Sequence, residues 1–476
     1  MMNKNIILLI TLCVSLNVNI FAQIFLPIQI TSPDIKLDWP LFDLPYQIDA
    51  MNTVGHGFFS GYANPSMTQS LALSKNIVTS FNFGMKYFYD HVTMNEWLKK
   101  YIYFSGVSLG VLLFFYMPGA EGWMHEEYHR AVLTRFGANS FNGMNLFPIG
   151  ADVVYVSAVD DNDMSRIKKK SPPDLVRLFE AGIEGEYVQI SRLQRDNFFY
   201  DQQLLHEIGY WFTTLNSHMY VLISASPDLD LPEDEADIAS RDFAGYDLTT
   251  WVYDLFRPHE PYEDRGRHPT GEGVERYISV NDLTNDELRY LRLQGGLQYL
   301  NYLSPMMFGI RTLPLGEDGD EINFAMRHYL TSFGADIAAQ VFLKIRPFNM
   351  AFTLHNYMNY QNYFPAVEAE LVDFPLTIGK LGFYLSPRVL IGMQPQGQTF
   401  KTSSPEFLGL FGLRVDFMAH KNIFPYIDFI AKTNGWVAGN EYLEANASVR
   451  LGVSMRFSSP IFSIPQQCFS RRGLPA

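Results

Sequence analysis

The chain has 476 residues, which is enough for two or three domains of ordinary size, each with its own core. Its formal net charge is −14 and its longest basic run is Lys168-Lys169-Lys170, which argues against nucleic acid as a partner because phosphate recognition needs concentrated Lys and Arg. Aromatic residues make up 15% of the chain, a share that favours contact with a membrane interface.

Residues 1–22 predict a cleaved signal peptide. Lys4 precedes an uncharged apolar run over residues 6–14, and the segment closes on Ala22, a small residue of the kind found at signal-peptidase sites. The apolar run is too short for a permanent membrane helix. The protein is therefore expected to be exported to a bacterial cell envelope. Cleavage would leave Cys468 without a partner for an intrachain disulfide.

Residues 23–65 are rich in Pro, Asp and Gly and predict an extended arm. A helix is expected over residues 66–92, and a second over residues 95–117. Residues 101–117 carry no charge and are apolar on every side, so this run predicts either a helix buried at the centre of a helical domain or a short membrane span. Pro118-Gly119 breaks it.

Helix resumes near Glu121 and is expected to stop around Phe136-Gly137, because glycine is the usual terminator. Pro172-Pro173 then opens a long helical region that runs, with breaks, to Ala225. Further helices are expected over residues 243–256 and 286–307, separated by charged surface loops. Residues 66–320 together predict a helical domain.

The pattern changes near Ala335. Apolar and polar residues alternate with a period of two over residues 335–346, 348–355 and 446–457, as they do in half-buried strands. Residues 321–457 therefore predict about seven strands joined as antiparallel hairpins, followed by a tail over residues 458–476. The predicted fold class is α+β, with an N-terminal helical domain followed by a C-terminal antiparallel β-meander or barrel-like region.

Strands of this length with one apolar, aromatic face suit a lipid-facing outer-membrane barrel. A soluble barrel, or a sheet packed on the helices, would alternate in the same way. Both versions stay open at the level of the sequence.

The segment His125-Glu126-Glu127-Tyr128-His129 is the strongest chemical signal in the chain. Residues four apart share a helical face, so both histidines can present a ring nitrogen to one metal ion. A bound Zn²⁺ lowers the pKa of its water, and the adjacent carboxylate of Glu126 can take the proton and pass it on.

This segment resembles the HExxH motif of the zincin metallopeptidases. The resemblance implies a zincin-like helical domain, Zn²⁺ as the cofactor, His125 and His129 as ligands and Glu126 as the general base in peptide-bond hydrolysis. The sequence departs from the family pattern at Glu127 and Arg130, where zincins prefer uncharged residues.

Catalytic zinc takes three protein ligands, so a third is required. The region around residues 180–186 resembles the glutamate-bearing helix of the gluzincins, and that resemblance would make Glu180 the ligand and Glu184 its support. The residues themselves favour Glu184. Ala181 and Gly185 share its helical face, and small side chains there would let this helix approach the histidine helix closely. Glu184 is therefore the predicted ligand, Glu180 the alternate, and Glu186 ranks third.

The leading hypothesis is an exported, membrane-associated zinc metallopeptidase that acts on a peptide or protein substrate, at the outer membrane or a periplasm-facing membrane surface. The alternative is an outer-membrane β-structured protein whose helical part is a non-catalytic plug or assembly module. A third hypothesis is an inner-membrane helical protease that uses residues 101–117 as a span, although open strands could not then face lipid.

Overall fold

The computed structural model describes residues 35–54, 61–145, 154–200, 207–226, 237–317, 319–379 and 381–457. The predicted signal peptide and the predicted tail lie outside these ranges. The helices of the described residues are α1 Tyr46–Val54, α2 Met67–His91, α3 Glu96–Phe114, α4 Glu121–Arg135, α5 Asp161–Lys170, α6 Pro172–Phe199, α7 Glu207–Ile223, α8 Asp247–Phe256 and α9 Asn285–Leu297. The strands are β1 Ile35–Leu44, β2 Phe141–Asn142, β3 Val156–Ser157, β4 Leu313–Leu315, β5 Asp320–Thr331, β6 Gly334–Ile345, β7 Phe348–Met358, β8 Tyr363–Leu371, β9 Phe374–Ile378, β10 Leu381–Pro395, β11 Pro405–Phe417, β12 Ile423–Lys432 and β13 Asn446–Phe457.

The predicted α+β class is confirmed. Helices dominate the first part of the described chain, and one antiparallel sheet of 11 strands follows in the order β1-β13-β12-β11-β10-β8-β7-β6-β5-β4, with β9 also paired to β10. The sheet takes in part of the predicted extended arm, because residues 35–44 form β1 and pair with β13. It also begins earlier than the alternation near Ala335 indicated, since β4 and β5 precede that residue. Helix α5 lies between the end of α4 and Pro172, where no helix was predicted.

Helix α3 differs from the expectation of an all-round buried helix. One side of it, with Tyr103, Val107 and Val111, is buried, whereas Leu109 and Leu113 are more than half exposed, at 60% and 51%. Among the described residues, none of the helices combines the length and apolar character needed to cross a bilayer. Helix α3 therefore presents a large apolar surface outward.

The sheet places charge inside and apolar side chains outside. On β8 the residues that face inward include Glu368 and Glu370, while Val367, the neighbour that precedes Glu368, is 46% exposed. Strand β10 shows the same arrangement, with Arg388 facing inward and Ile391 facing outward at 52% exposure. Other outward residues are Phe352, Leu354, Phe407, Phe411, Ile427, Phe429, Val449 and Leu451. A sheet of a water-soluble domain alternates the other way, with its apolar side toward the core.

Helix α6 is the central element. It is buried over most of its length and packs against α4, α7, α8 and β5. Its approach to α4 depends on a glycine, because a Cβ at Gly185 would lie 3.0 Å from the ring of Tyr128. The expectation that small residues on this helix permit close packing against the histidine helix is met at Gly185.

A group of four side chains, here called the Arg177 cluster, joins α6 to the sheet: Arg177, Glu180, Glu184 and Trp436. Trp436 lies in the connection between β12 and β13, and its Nε1 donates to Glu180 Oε1 and Glu184 Oε2 at 3.2 Å each. Arg177 Nη2 donates to both oxygens of Glu184 at 2.8 Å. Burial raises the pKa of Glu180 well above its usual value, and the charge of Glu184 adds to that shift.

We expect Glu180→Gln to weaken the dependence of stability on pH. A carboxyl whose pKa is raised on folding stabilises the protein fully below its unfolded pKa, near 4.5, and that contribution is lost as the pH rises through the folded pKa. The free energy of unfolding of the wild type should therefore fall from pH 5 to pH 8, relative to the variant, by up to about 1.4 kcal/mol per pH unit. Urea titrations at both pH values measure this difference. Equal pH dependence in the two proteins would refute the assignment.

Candidate metal centre

Helix α4 carries both histidines on the side that faces α6. The rings of His125 and His129 are 5.0 Å apart between centroids, as expected for residues four apart on one helical face. His129 is fully buried, and His125 is partly exposed. The predicted placement of the pair on one helix is therefore confirmed.

Each histidine is oriented through its Nδ1 by a group on α6. His125 Nδ1 lies 2.8 Å from Glu186 Oε1, and His129 Nδ1 lies 2.6 Å from the carbonyl oxygen of Leu178. A carbonyl oxygen can only accept, so Nδ1 of His129 carries the proton and its Nε2 has a free lone pair in the neutral ring. Carboxylates and carbonyls in these positions are the usual supports of metal-binding histidines.

The third group beside the two Nε2 atoms is Asp247, the first residue of α8. Asp247 Oδ2 lies 3.3 Å from His125 Nε2 and 3.5 Å from His129 Nε2. Ligands of a tetrahedral zinc ion at its usual bond lengths are separated by roughly 3.3 to 3.6 Å. Tyr220 of α7 donates its hydroxyl proton to the same oxygen of Asp247 at 2.9 Å and thereby positions it.

Two further observations show that the three donors fit a metal ion. The Nε2 atom of His129 is buried and has no hydrogen-bond partner within the described chain. The wall opposite is Gly182 of α6, where a Cβ would lie 2.2 Å from His125 Nε2 and 2.5 Å from His129 Nε2. Glycine therefore leaves open the space that the nitrogen lone pairs face. Two imidazoles and one carboxylate match the donor set of a three-ligand metal site.

Glu184 and Glu180 do not join the histidines. Both belong to the Arg177 cluster, where Glu184 also accepts the backbone N–H of Gly439 at 2.6 Å. The prediction of Glu184 or Glu180 as the third ligand is therefore wrong, and the helical period gives the reason. Leu178, Gly182 and Glu186 are spaced four apart on the face toward α4, while Glu180 and Glu184 point to the opposite side. Asp247 takes the place that Glu184 was expected to fill, and Glu186, ranked third as a ligand, supports His125 instead.

The electrostatics of the site keep Asp247 ionised. Burial alone would raise the pKa of Asp247, but the neighbouring His129 and His125 outweigh burial and hold it below its usual range. Burial alone would lower the pKa of His125. The hydrogen bonds to Asp247 and Glu186 outweigh burial, so the pKa of His125 lies well above its usual value. Burial raises the pKa of Glu126 well above its usual value, and the negative charges of Asp247 and Asp242 contribute.

A cleft of about 610 Å³ opens onto the group. His125, Glu126 and Asp247 lie in its wall, together with Tyr220 and Asn216 of α7. The rest of the lining is largely apolar and includes Leu112, Phe115, Tyr116, Met144, Phe212 and Met219. The predicted base thus lies next to the three converging donors and faces a space large enough for part of a peptide.

Sequence reasoning missed Asp247 and Tyr220 as parts of the site, and it ranked Glu186 only third, as a ligand and not as the support of His125. Asp247 has no motif around it, and an acidic residue in the first turn of a helix is common for reasons of helix capping alone. Glu186 could have been ranked higher, because it lies four residues after Gly182 and therefore shares a helical face with that glycine. Nothing in the sequence around Tyr220 distinguishes it from the chain's other tyrosines.

No protein-family model, curated protein or solved structure matches the chain. The candidate site is therefore identified by the geometry of its own three donors.

We expect Asp247→Asn and Glu184→Gln to separate the two assignments of the third ligand. Asp247→Asn removes a charged donor beside both Nε2 atoms, so zinc affinity should fall by about a hundredfold or more. Glu184→Gln should leave zinc affinity unchanged and lower stability, because it leaves the buried Arg177 without its counter-charge. Zinc titration of the metal-free proteins against a competing chelator measures the affinities. A loss of zinc binding in the Glu184 variant alone would overturn the placement of Asp247.

Proposed function

We propose that the protein is an exported, membrane-associated zinc metallopeptidase that hydrolyses peptide bonds at the outer membrane or a periplasm-facing membrane surface. The observation that carries the proposal is the convergence of His125 Nε2, His129 Nε2 and Asp247 Oδ2 beside Glu126 at the wall of the cleft. The resemblance of the histidine segment to the HExxH motif supports the reaction class.

The residues have distinct roles in this proposal. His125, His129 and Asp247 would hold zinc, which would supply a Lewis acid and lower the pKa of a bound water molecule. Glu126 would accept a proton from the attacking water as the water oxygen bonds to the substrate carbonyl carbon. It would then give the proton to the amine that leaves as the C–N bond breaks.

The cleft favours substrates with apolar side chains. Leu112, Phe115 and Tyr116 at the end of α3 and Met219 of α7 form an apolar wall, and Leu112, Tyr116 and Met219 are 46%, 57% and 43% exposed. This wall continues into the exposed apolar side of α3. An apolar segment of a peptide chain would remove that surface from water as it binds.

The proposed membrane association is supported by the sheet. The exposed side chains on β7, β8 and β10 to β13 include many apolar and aromatic ones, while charged side chains such as Glu368 and Arg388 point inward. That arrangement suits contact with hydrocarbon, where exposed charge is costly. The same observation favours a second function, an outer-membrane β-structured protein in which the helices serve as a plug or assembly module without catalysis.

Replacing the proposed base tests catalysis. We expect Glu126→Gln to lower kcat toward an apolar fluorogenic peptide by about a hundredfold to ten-thousandfold, with zinc content unchanged, because the amide cannot take a proton from water. Glu260→Gln serves as the matched control, since Glu260 is exposed and is not part of the cleft wall. Zinc is counted per chain by atomic spectroscopy alongside the kinetics. Hydrolysis that persists in the Glu126 variant would contradict the peptidase proposal and leave the plug or assembly function as the remaining hypothesis.

Fractionation of cells tests the membrane association. The outward apolar side chains of the sheet predict that the protein stays in the membrane pellet through washes with high salt and with alkaline carbonate, and is released by detergent. A peripheral membrane protein held by charge alone provides the control for the washes. Release of this protein by carbonate would show that its sheet is not embedded in lipid.

A further inference from the structure

Two adjoining cavities lie between helix α6 and the inner side of the sheet, far along the helix from the histidines. Their volumes are about 170 Å³ and about 80 Å³, and they share Arg192, Arg195, Glu370 and Arg388 in their walls. We call the two together the polar chamber. Neither cavity is lined by His125, His129 or Asp247, so the chamber is separate from the metal centre.

The walls of the larger cavity carry an excess of positive charge, with seven basic and four acidic side chains. Six of the basic side chains form ion pairs: Lys36, Lys75, Arg195, Arg388, Arg414 and Arg450. Their partners lie 2.5 to 3.2 Å away. Charge pairing of this kind is what allows charged groups to remain inside a protein.

Arg192 is the exception within the described structure. It lines both cavities, yet none of the hydrogen bonds or ion pairs found among the described residues includes its guanidinium. The two acidic groups nearest along the helix and on the facing strand are already engaged, since Asp196 pairs with Lys75 and Glu370 pairs with Arg195. Arginine stays protonated under all physiological conditions, so it cannot escape the cost of this environment by losing its proton.

From this geometry we propose that the polar chamber binds a small oxyanion, a phosphate or a carboxylate group, on the guanidinium of Arg192. The planar fork of arginine matches the oxygens of such an anion and can donate two parallel hydrogen bonds. Arg195 lies one turn further along α6 and, although paired with Glu370, adds positive potential at the same wall. The larger cavity has room for the anion together with ordered water.

Titration calorimetry with inorganic phosphate tests the proposal on the full-length protein. The wild type should bind one phosphate per chain, and Arg192→Gln should weaken the affinity by about tenfold or more, because a charge-assisted pair of hydrogen bonds is lost. Arg289→Gln is the matched control, since Arg289 lies on the surface with 76% of its side chain exposed. A second titration with acetate distinguishes phosphate from a simple carboxylate as the preferred ligand.

Thermal unfolding provides a readout that does not depend on how well the variant binds. In buffer with chloride as the only anion, Arg192→Gln should unfold at the same temperature as the wild type or higher, because it removes an unpaired charge. Added phosphate should raise the melting temperature of the wild type and of Arg289→Gln above that in chloride of equal ionic strength, and leave Arg192→Gln unchanged. Wild-type protein that responds alike to phosphate and chloride would overturn the proposal, as would an Arg192 variant that keeps the phosphate response.

Discussion

The close contact between one face of α6 and the histidine helix is the constraint on which the site depends. Gly182 lies at its centre, where any side chain would occupy the space between the two Nε2 atoms. One helical turn before it, the carbonyl oxygen of Leu178 receives Nδ1–H of His129, and one turn after it, Glu186 accepts from His125. Three positions spaced by four thus provide the open space and both supports. The acidic groups gathered here are buried, and their cost is offset by the histidines and by hydroxyl donors such as Tyr220.

Much of the helical part could be predicted from local signals. The Pro118-Gly119 break, the glycine after Phe136 and the Pro172-Pro173 start all coincide closely with observed helix ends, because each acts through backbone sterics that need no tertiary contact. The histidine pair was visible because residues four apart share a helical face, which also needs no tertiary contact. The third group of the site was not visible, because Asp247 reaches the histidines only through the packing of α8 against α6. Choosing between the two faces of α6 also failed, since acidic residues occur on both and only the fold shows that Arg177 and Trp436 engage Glu180 and Glu184.

The sheet shows a different limit of sequence reasoning. A period of two indicates that a strand has two unlike faces, but it does not say which of them meets the rest of the protein. Here helix α6 and the charged network fill the inner side, so Glu368, Arg388 and their neighbours face inward while Val367 and Ile391 face out. The long-range pairing of β1 with β13 was equally hidden, because residues 35–44 carry turn-forming residues that suggest an irregular arm.

Helix α6 makes specific contacts on opposite sides, with the histidines on one and with the Arg177 cluster on the other. Because both sets of contacts must keep their spacing along the helix, the number of residues from Arg177 to Glu186 is fixed. Each inserted or deleted residue turns the remainder of a helix by 100° and shifts it by 1.5 Å. Such a change would carry Glu186 away from His125, or the partners of Trp436 away from the sheet. A single-residue change in length within this stretch would therefore separate the candidate metal centre from the sheet.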